Sequence, residues 1–495
     1  MARIIRNRKM LVASLFAAIA VASLGAFRSS RALASPRLDS DASPSTTQKD
    51  QVDLAVTVYN SNVALVRDVR QLALPSGGFS LRFEDVAAAI TPQTVHFRSL
   101  TEPAKLAVVE QNYEYDLLDP AKLLQKYVGR EVTLIRAEQE NNSTKWVDTK
   151  ALLLSDNDGP VWKIGDEIVT GVPTDQYRFP DLPENLYSKP TLVWMLENAG
   201  PKSQRVEASY LTNNMNWNAD YVLTVNRDDK SADLDGWVTL ANNSGTAYKN
   251  AKLQLVAGAV HRVAPSRMKA ASMAAVSQLA EAQPQFEQEN FSEYHLYSLA
   301  RRTSIEDKET KQISLLNATG VAVQKLLLVA GQPYFYRNPQ PIGNPIQQTV
   351  QVDYRFKNED KSGLGMPMPA GTVRVYQADS RGGIQLVGED TINHTPKDEA
   401  VTIHVGDAFD VVCDRKETDF KKIDKNTYEF EYEISLRNHK DSDATVEVRE
   451  PIGGDWEVEK SNYKSVKLDS STLSFQIPVA KNGSSTLDYR VRVKW

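Results

Sequence analysis

The chain reads as mainly β: antiparallel β-sandwich domains with a small β-barrel-like unit and one helical or disordered insertion. Three observations predict this. Apolar and polar residues alternate over most of the chain, the period of a strand with one buried and one wet face. Asn, Gly and Pro clusters interrupt the alternation as turns do. A strand that runs into an asparagine recurs three times in widely spaced hairpins, a sandwich signature.

The first 34 of the 495 residues form a leader. Arg3, Arg6, Arg8 and Lys9 precede an uncharged stretch from Met10 to Phe27, and Ala32-Leu33-Ala34 supplies an A-x-A site before Ser35. That order predicts a secretory signal peptide at 1–34, cleaved after Ala34, and a periplasmic or extracellular protein. A leader retained as an inner-membrane anchor is the alternative, because the apolar stretch approaches the ~20 residues of a spanning helix. Ser-, Thr-, Pro- and Asp-rich residues 35–50 predict a disordered linker.

Residues 51–115 predict an N-terminal β unit. Val52, Leu54, Val56 and Val58 alternate inward, Asn60-Ser61-Asn62 turns, and Val63, Leu65 and Val69 continue the alternation on the return. After Pro75-Ser76-Gly77-Gly78, Phe79, Leu81 and Phe83 form the next inward face. Val95, Phe97 and Val108 mark strands that reach about Asn112.

Residues 116–190 predict the small barrel-like unit. Asp119-Pro120 opens a short helix through Leu123, Leu124 and Tyr127, and Gly129 ends it. Strands follow near Val132–Ile135, Ala151–Leu154 and Val161–Ile164, with Asp156-Asn157-Asp158-Gly159 as a hairpin turn rather than a calcium loop, since the later acidic ligand is missing. Pro173, Pro180, Pro183 and Pro190 mark the boundary.

Residues 191–495 predict the large sandwich region. Its recurrence is Gly236-x-Val238-x-Leu240 leading to Asn242, Val352-x-Tyr354-x-Phe356 to Asn358, and Tyr432-x-Ile434-x-Leu436 to Asn438. Each asparagine is placed to hydrogen-bond the backbone of its turn. Residues 266–290 break the pattern. They are rich in Ala, Gln, Glu and Met, with Met268, Ala271, Met273 and Val276 at loosely helical spacing, and read as the exposed helical or disordered insertion.

Charge and cysteine content exclude several roles. Removing the leader's six basic residues from the 58 Lys and Arg leaves 52 against 63 acidic residues, a net charge near −11. That argues against a nucleic-acid partner, which needs clustered cations. Cys413 is the only cysteine, so no disulfide forms within the chain and no Cys-rich zinc site exists. It lies in the apolar run Phe409-Asp410-Val411-Val412-Cys413 and reads as a buried strand thiol.

No nucleophile elbow, metalloprotease helix, phosphate loop or dinucleotide fingerprint occurs, and the six histidines show no metal-ligand spacing. No catalytic residue, metal or cofactor is therefore assigned. Asp410, Asp414 and Asp419 form an acidic group that reads as strand-end charge. The densest unusual string runs from Phe291 to Leu299 and on to Arg301 and Arg302. Alternation places Tyr294 and Leu296 on one face and His295, Tyr297 and Leu299 on the other. Aromatic and cationic groups together make Tyr294, His295, Tyr297, Arg301 and Arg302 the candidate binding surface.

Several strings carry a resemblance. They are Val58-Tyr59-Asn60-Ser61-Asn62-Val63-Ala64-Leu65-Val66-Arg67-Asp68, Tyr210-Leu211-Thr212, Trp217-Asn218-Ala219-Asp220-Tyr221, Tyr294-His295-Leu296-Tyr297, Gly363-Leu364-Gly365-Met366-Pro367-Met368-Pro369-Ala370-Gly371, Asn438-His439 and Asp455-Trp456. In this order, from about residue 52 to Trp495, the chain resembles bacterial secreted proteins carrying the domain of unknown function DUF4139. The resemblance implies a family and no catalytic residues. The functional expectation is a non-enzymatic envelope protein that binds or scaffolds an envelope protein or glycan, touching membrane only if the leader is retained. The alternative is a periplasmic hydrolase of envelope glycans or peptides, with His394, Glu389, Asp390 and Asp410 as its groups.

Overall fold

A sheet of eight strands and a sheet of four enclose the first core. In the larger sheet Gln51–Tyr59 pairs antiparallel with Val63–Ala73, which pairs with Ser203–Asn213. On its other side Gln51–Tyr59 runs parallel to Tyr248–Ala257, which leads to Tyr294–Leu299 and Phe286–Phe291. The smaller sheet is ordered Ser45–Thr46, Gly77–Glu84, Thr191–Asn198, Leu106–Glu114. Leu54, Val56, Val58, Phe79, Leu81 and Phe83 are buried as their alternation requires, whereas Val52 is exposed. Rings link the two sheets: Phe97 lies 4.2 Å from Trp194 and 6.5 Å from Phe83, centroid to centroid. The coordinates are a computed structural model that describes residues 44–114, 119–140, 143–181, 183, 189–258 and 285–495. The leader and most of the linker lie outside the described residues.

The return strand Val63–Ala73 departs from expectation. Its inward row is Val66, Asp68, Arg70 and Leu72, while Leu65 is only half-buried. Two charged residues occupy that row because they neutralise each other: Arg70 Nη2 lies 2.9 Å from Asp68 Oδ2. The Arg70 guanidinium also donates to the Glu84 carbonyl at 2.8 Å and stacks 3.5 Å over Phe83.

The small unit keeps its expected parts. The helix is Pro120–Lys126, and the Asp119 carboxylate accepts from Lys122 N at 2.9 Å as its N-cap. Leu124 and Tyr127 pack with Val132, Leu134, Ala151, Leu153 and Trp162 of a five-stranded antiparallel sheet. Leu152 in Ser143–Ser155 pairs with Lys163 in Val161–Ile164, which makes Asp156–Gly159 the hairpin turn.

Three further sheets complete the described chain. A five-stranded sheet is ordered Glu309–Ala322, Ser231–Asn242, Met215–Val225, Gly371–Ala378, Ile384–Ile392. Beyond it, a six-stranded sheet containing Gln324–Ala330, Gln351–Lys357, Ala444–Pro451 and Thr472–Val479 packs on a five-stranded sheet ordered Ile346–Gln348, Val411–Lys422, Thr427–Asn438, Gly483–Lys494, Asp455–Ser461. Cys413 is fully buried there, and burial pushes its thiol up to about 12.

Residues 286–290, expected within the insertion, belong to the edge strand Phe286–Phe291, whose Phe286 packs into the first core. Residues 266–284, including Met268, Ala271, Met273 and Val276, lie outside the described residues. Among the described residues no helix is long and apolar enough to cross a membrane.

Candidate functional site

The strand Tyr294–Leu299 splits the expected binding surface. Tyr297 is buried; its hydroxyl donates to the Pro367 carbonyl at 2.9 Å, and its ring meets Trp217 edge-on at 6.3 Å. Tyr221 makes the matching bond to the Pro369 carbonyl at 2.8 Å. Two tyrosines thus hold down the Gly363–Gly371 loop, a structural duty that joins three of the strings singled out in the sequence. Tyr294 and His295 are half-buried, and His295 Nδ1 lies 3.0 Å from Gln288 Nε2. Arg301 and Arg302 are exposed. Arg301 Nε donates to Gln285 Oε1 at 3.1 Å. Arg302 is paired with Asp53 and donates to the Asn250 carbonyl at 2.9 Å, so its charge is largely committed.

Of the groups considered for catalysis, Glu389, Asp390 and His394 have local partners. Glu389 lies 3.4 Å from Arg374 Nε. Asp390 accepts from the backbone N of Thr391 and of His404, each at 2.8 Å. His394 Nδ1 accepts from Ala370 N at 3.1 Å. Partial burial and then the neighbouring His295 hold the His394 imidazole below its ordinary pKa. Asp410 is exposed, and its backbone carbonyl accepts from His439 N at 2.7 Å. Asp414 is paired with Arg437 at 2.6 Å and Asp419 with Arg490 at 2.7 Å, so both strand carboxylates meet cations.

A different site emerges in the C-terminal sandwich. Arg415 and Glu450 are fully buried and paired. Further hydrogen bonds surround the pair: Arg415 Nη1 donates to Tyr489 Oη at 3.2 Å, Nε donates to Gln348 Oε1 at 2.8 Å, and the Tyr336 hydroxyl donates to Glu450 Oε2 at 2.7 Å. The guanidinium sits 4.5 Å over Phe335 and 5.1 Å over Tyr432. Burial works against the charge on Arg415, but Glu450 and the surrounding hydroxyls overcome it and raise its pKa. Gly331 is required beside the pair, because a Cβ there would collide with Glu450 Oε2.

Above this pair lies a recess of about 300 Å³. Its walls are Gln332, Gln347, Gln348 and Gln351, with Tyr334 and Phe335 among the other residues that line it, and no lining residue is charged. Gln348 and Phe335 are the two wall residues that rest on Arg415. A buried ion pair thereby fixes the floor of an uncharged, amide-walled opening. Such a wall can bind a neutral polar ligand; it offers no ionised acid or base.

The sequence carries a signal for this site outside any catalytic motif. Arg415 and Glu417 continue the inward phase of Val411 and Cys413, and Glu450 that of Val446 and Val448. A charge in an inward position must be paired or neutralised.

Fold and recess together define a multi-sandwich β protein with a ligand-sized opening in its C-terminal part. The chain belongs to the family described as Domain of unknown function (DUF4139), which matches residues 206–495 and so includes both the recess and the Gly363–Gly371 loop. No curated protein matches the chain.

Proposed function

We propose that the chain is an exported envelope protein that binds or scaffolds, without chemistry of its own, through its β-sandwich surfaces. The observation that carries this reading is the uncharged recess built over the Arg415–Glu450 pair. A shaped opening with placed polar groups and an aromatic side, held on a rigid scaffold, is suited to ligand binding. The acid and base candidates support the same reading, since Glu389, Asp390 and His394 are engaged by Arg374, backbone amides and Ala370. The leader's basic start, uncharged stretch and A-x-A site support export and cleavage after Ala34. The partner is an envelope glycan or an envelope protein. Arg301 and Arg302 form a second, weaker surface because Arg302 is already neutralised by Asp53.

The test is co-sedimentation of the purified mature chain with isolated cell-envelope fractions, alongside a glycosidase and peptidase screen. Saturable binding with no turnover is expected. Turnover that vanishes in Glu389→Gln or Asp410→Asn would replace this reading with the hydrolase.

A further inference from the structure

We infer that the recess walled by Gln332, Gln347, Gln348 and Gln351 is a subsite for a neutral sugar ring, with Tyr334 as its stacking platform. The inference rests on the binding reading above and names its ligand class.

The chemistry of the wall selects the class. A primary amide presents one acceptor oxygen and two donor hydrogens in one plane. Adjacent sugar hydroxyls each donate and accept, so a pair of them matches one amide in two hydrogen bonds. Four glutamines line one opening here, and strand alternation turns the Gln347 side chain to the face opposite Gln348. Of these side chains only Gln348 is bonded to another described residue, through Oε1 to Arg415 Nε. That bond turns its amide nitrogen away from the guanidinium, leaving the two N–H groups for a ligand. The charge itself stays buried behind the wall and cannot act as a counter-ion at the surface.

The apolar side of the opening fits the same ligand. Tyr334 is 46% exposed, and its ring rests 4.4 Å from that of Phe335. Phe335 in turn carries Arg415, so the exposed ring leans at 46° on a side chain anchored in the core. A sugar's C–H face is flat and apolar and covers such a ring without requiring charge. An anionic sugar would gain nothing here, because no lining residue is cationic. The volume of about 300 Å³ lies at the small end of ligand pockets, which suits a terminal ring rather than a long chain.

The experiment measures binding of the full mature chain to cellobiose, maltose and N,N′-diacetylchitobiose by ligand-observed NMR titration. Digalacturonate serves as the anionic probe and Gly-Gln-Gly as the peptide probe. At least one neutral disaccharide is expected to bind, and Tyr334→Ala and Gln332→Ala are each expected to weaken it about tenfold, the loss of one good contact. Both side chains are exposed, so unchanged melting temperatures will show that the variants fold. The inference is overturned if none of the three neutral sugars binds, if digalacturonate or the peptide binds in preference, or if neither recess variant weakens binding. Envelope co-sedimentation separates the two claims. If it persists at wild-type strength in the recess variants while no sugar binds, this subsite falls alone. If it too is absent, the binding reading falls with it.

Discussion

Arg415 and Glu450 form an ion pair in which neither side chain reaches solvent. Removing both charges from water costs several kcal/mol per ion, and the pair persists because Tyr336, Tyr489 and Gln348 add further hydrogen bonds to it. Glu450→Ala should therefore leave an uncompensated buried guanidinium and cost about 3–5 kcal/mol. The double variant Arg415→Met with Glu450→Leu should recover most of that loss. Urea denaturation of the single and double variants measures the coupling. A single variant as stable as the parent would contradict the assignment.

The asparagine recurrence yields a second prediction. Asn438 Oδ1 accepts from Lys440 N at 3.0 Å, while its Nδ2 donates to the Ser442 carbonyl at 2.8 Å and to Ala480 in another turn at 3.2 Å. Asn242 repeats the arrangement with Ser244 N at 3.1 Å, and with the Thr246 carbonyl and Glu306 of another turn, each at 2.9 Å. Asn358 binds Gly365 N, the Met366 carbonyl and the Pro396 carbonyl in the same way. Each asparagine staples its own turn to a neighbouring one, with its side chain buried. Asn438→Ala and Asn242→Ala should each cost about 2–4 kcal/mol, because several buried backbone groups lose their partner at once. Asn→Asp should be equally costly, since a carboxylate cannot donate to the carbonyls. Chemical denaturation checks both, and a loss under about 0.5 kcal/mol, the scale of an ordinary surface change, would refute the staple.

The strand pattern and these asparagines were legible because period-two alternation and turn chemistry are local. The same pattern has a fourth instance, Trp194-x-Leu196-x-Asn198, where Asn198 binds Gly200 N and the Pro75 carbonyl. Its spacing is identical to that of the other three. The charged inward rows were less legible. Asp68 and Arg70 displaced the expected face of Val63–Ala73, because a strand tolerates charge inside when the opposite charge is two residues away. The recess was not legible at all. Gln332, Gln347, Gln348 and Gln351 come from loop and short-strand segments around Pro333–Tyr336, and only the fold makes them one wall.

Cys413 supplies a reporter of opening. Burial pushes its thiol up to about 12, so almost no thiolate forms near neutrality. A thiol reagent at pH 8 should leave the native chain unlabelled and modify one equivalent in denaturant. Rapid labelling of the native chain would mean that the Val411–Lys422 strand is not sealed. Cys413→Ser should cost about 1–3 kcal/mol by burying a hydroxyl among the apolar side chains of the C-terminal core.

Glu417 gives the pH dependence of the C-terminal sandwich a definite sign. Its side chain is buried beside the recess machinery, and Oε2 accepts from Gln340 N at 2.7 Å and from the Tyr432 hydroxyl at 3.2 Å. Its Oε1 is buried with no hydrogen-bond partner. Burial raises the carboxyl pKa, and the two hydrogen bonds only partly oppose it. The unfolded chain ionises this group at its ordinary value, about 4.3, whereas the folded chain keeps the proton to higher pH. Between those values the folded state binds more protons, so stability falls as pH rises through the window and stays lowered above it. Glu417→Gln removes the ionisation while keeping an acceptor for Gln340 and Tyr432. Relative to the parent, the variant should gain stability as pH rises from 4 through the folded pKa and hold that gain at neutrality. Paired lowered carboxylates such as Glu447, where burial is outweighed by Arg449 and Ser474, act in the opposite direction but cancel in the comparison. Urea midpoints of parent and variant at matched pH values decide the point. A difference that is flat with pH, or one that favours the parent increasingly as pH rises, would show that Glu417 is ionised at no net cost.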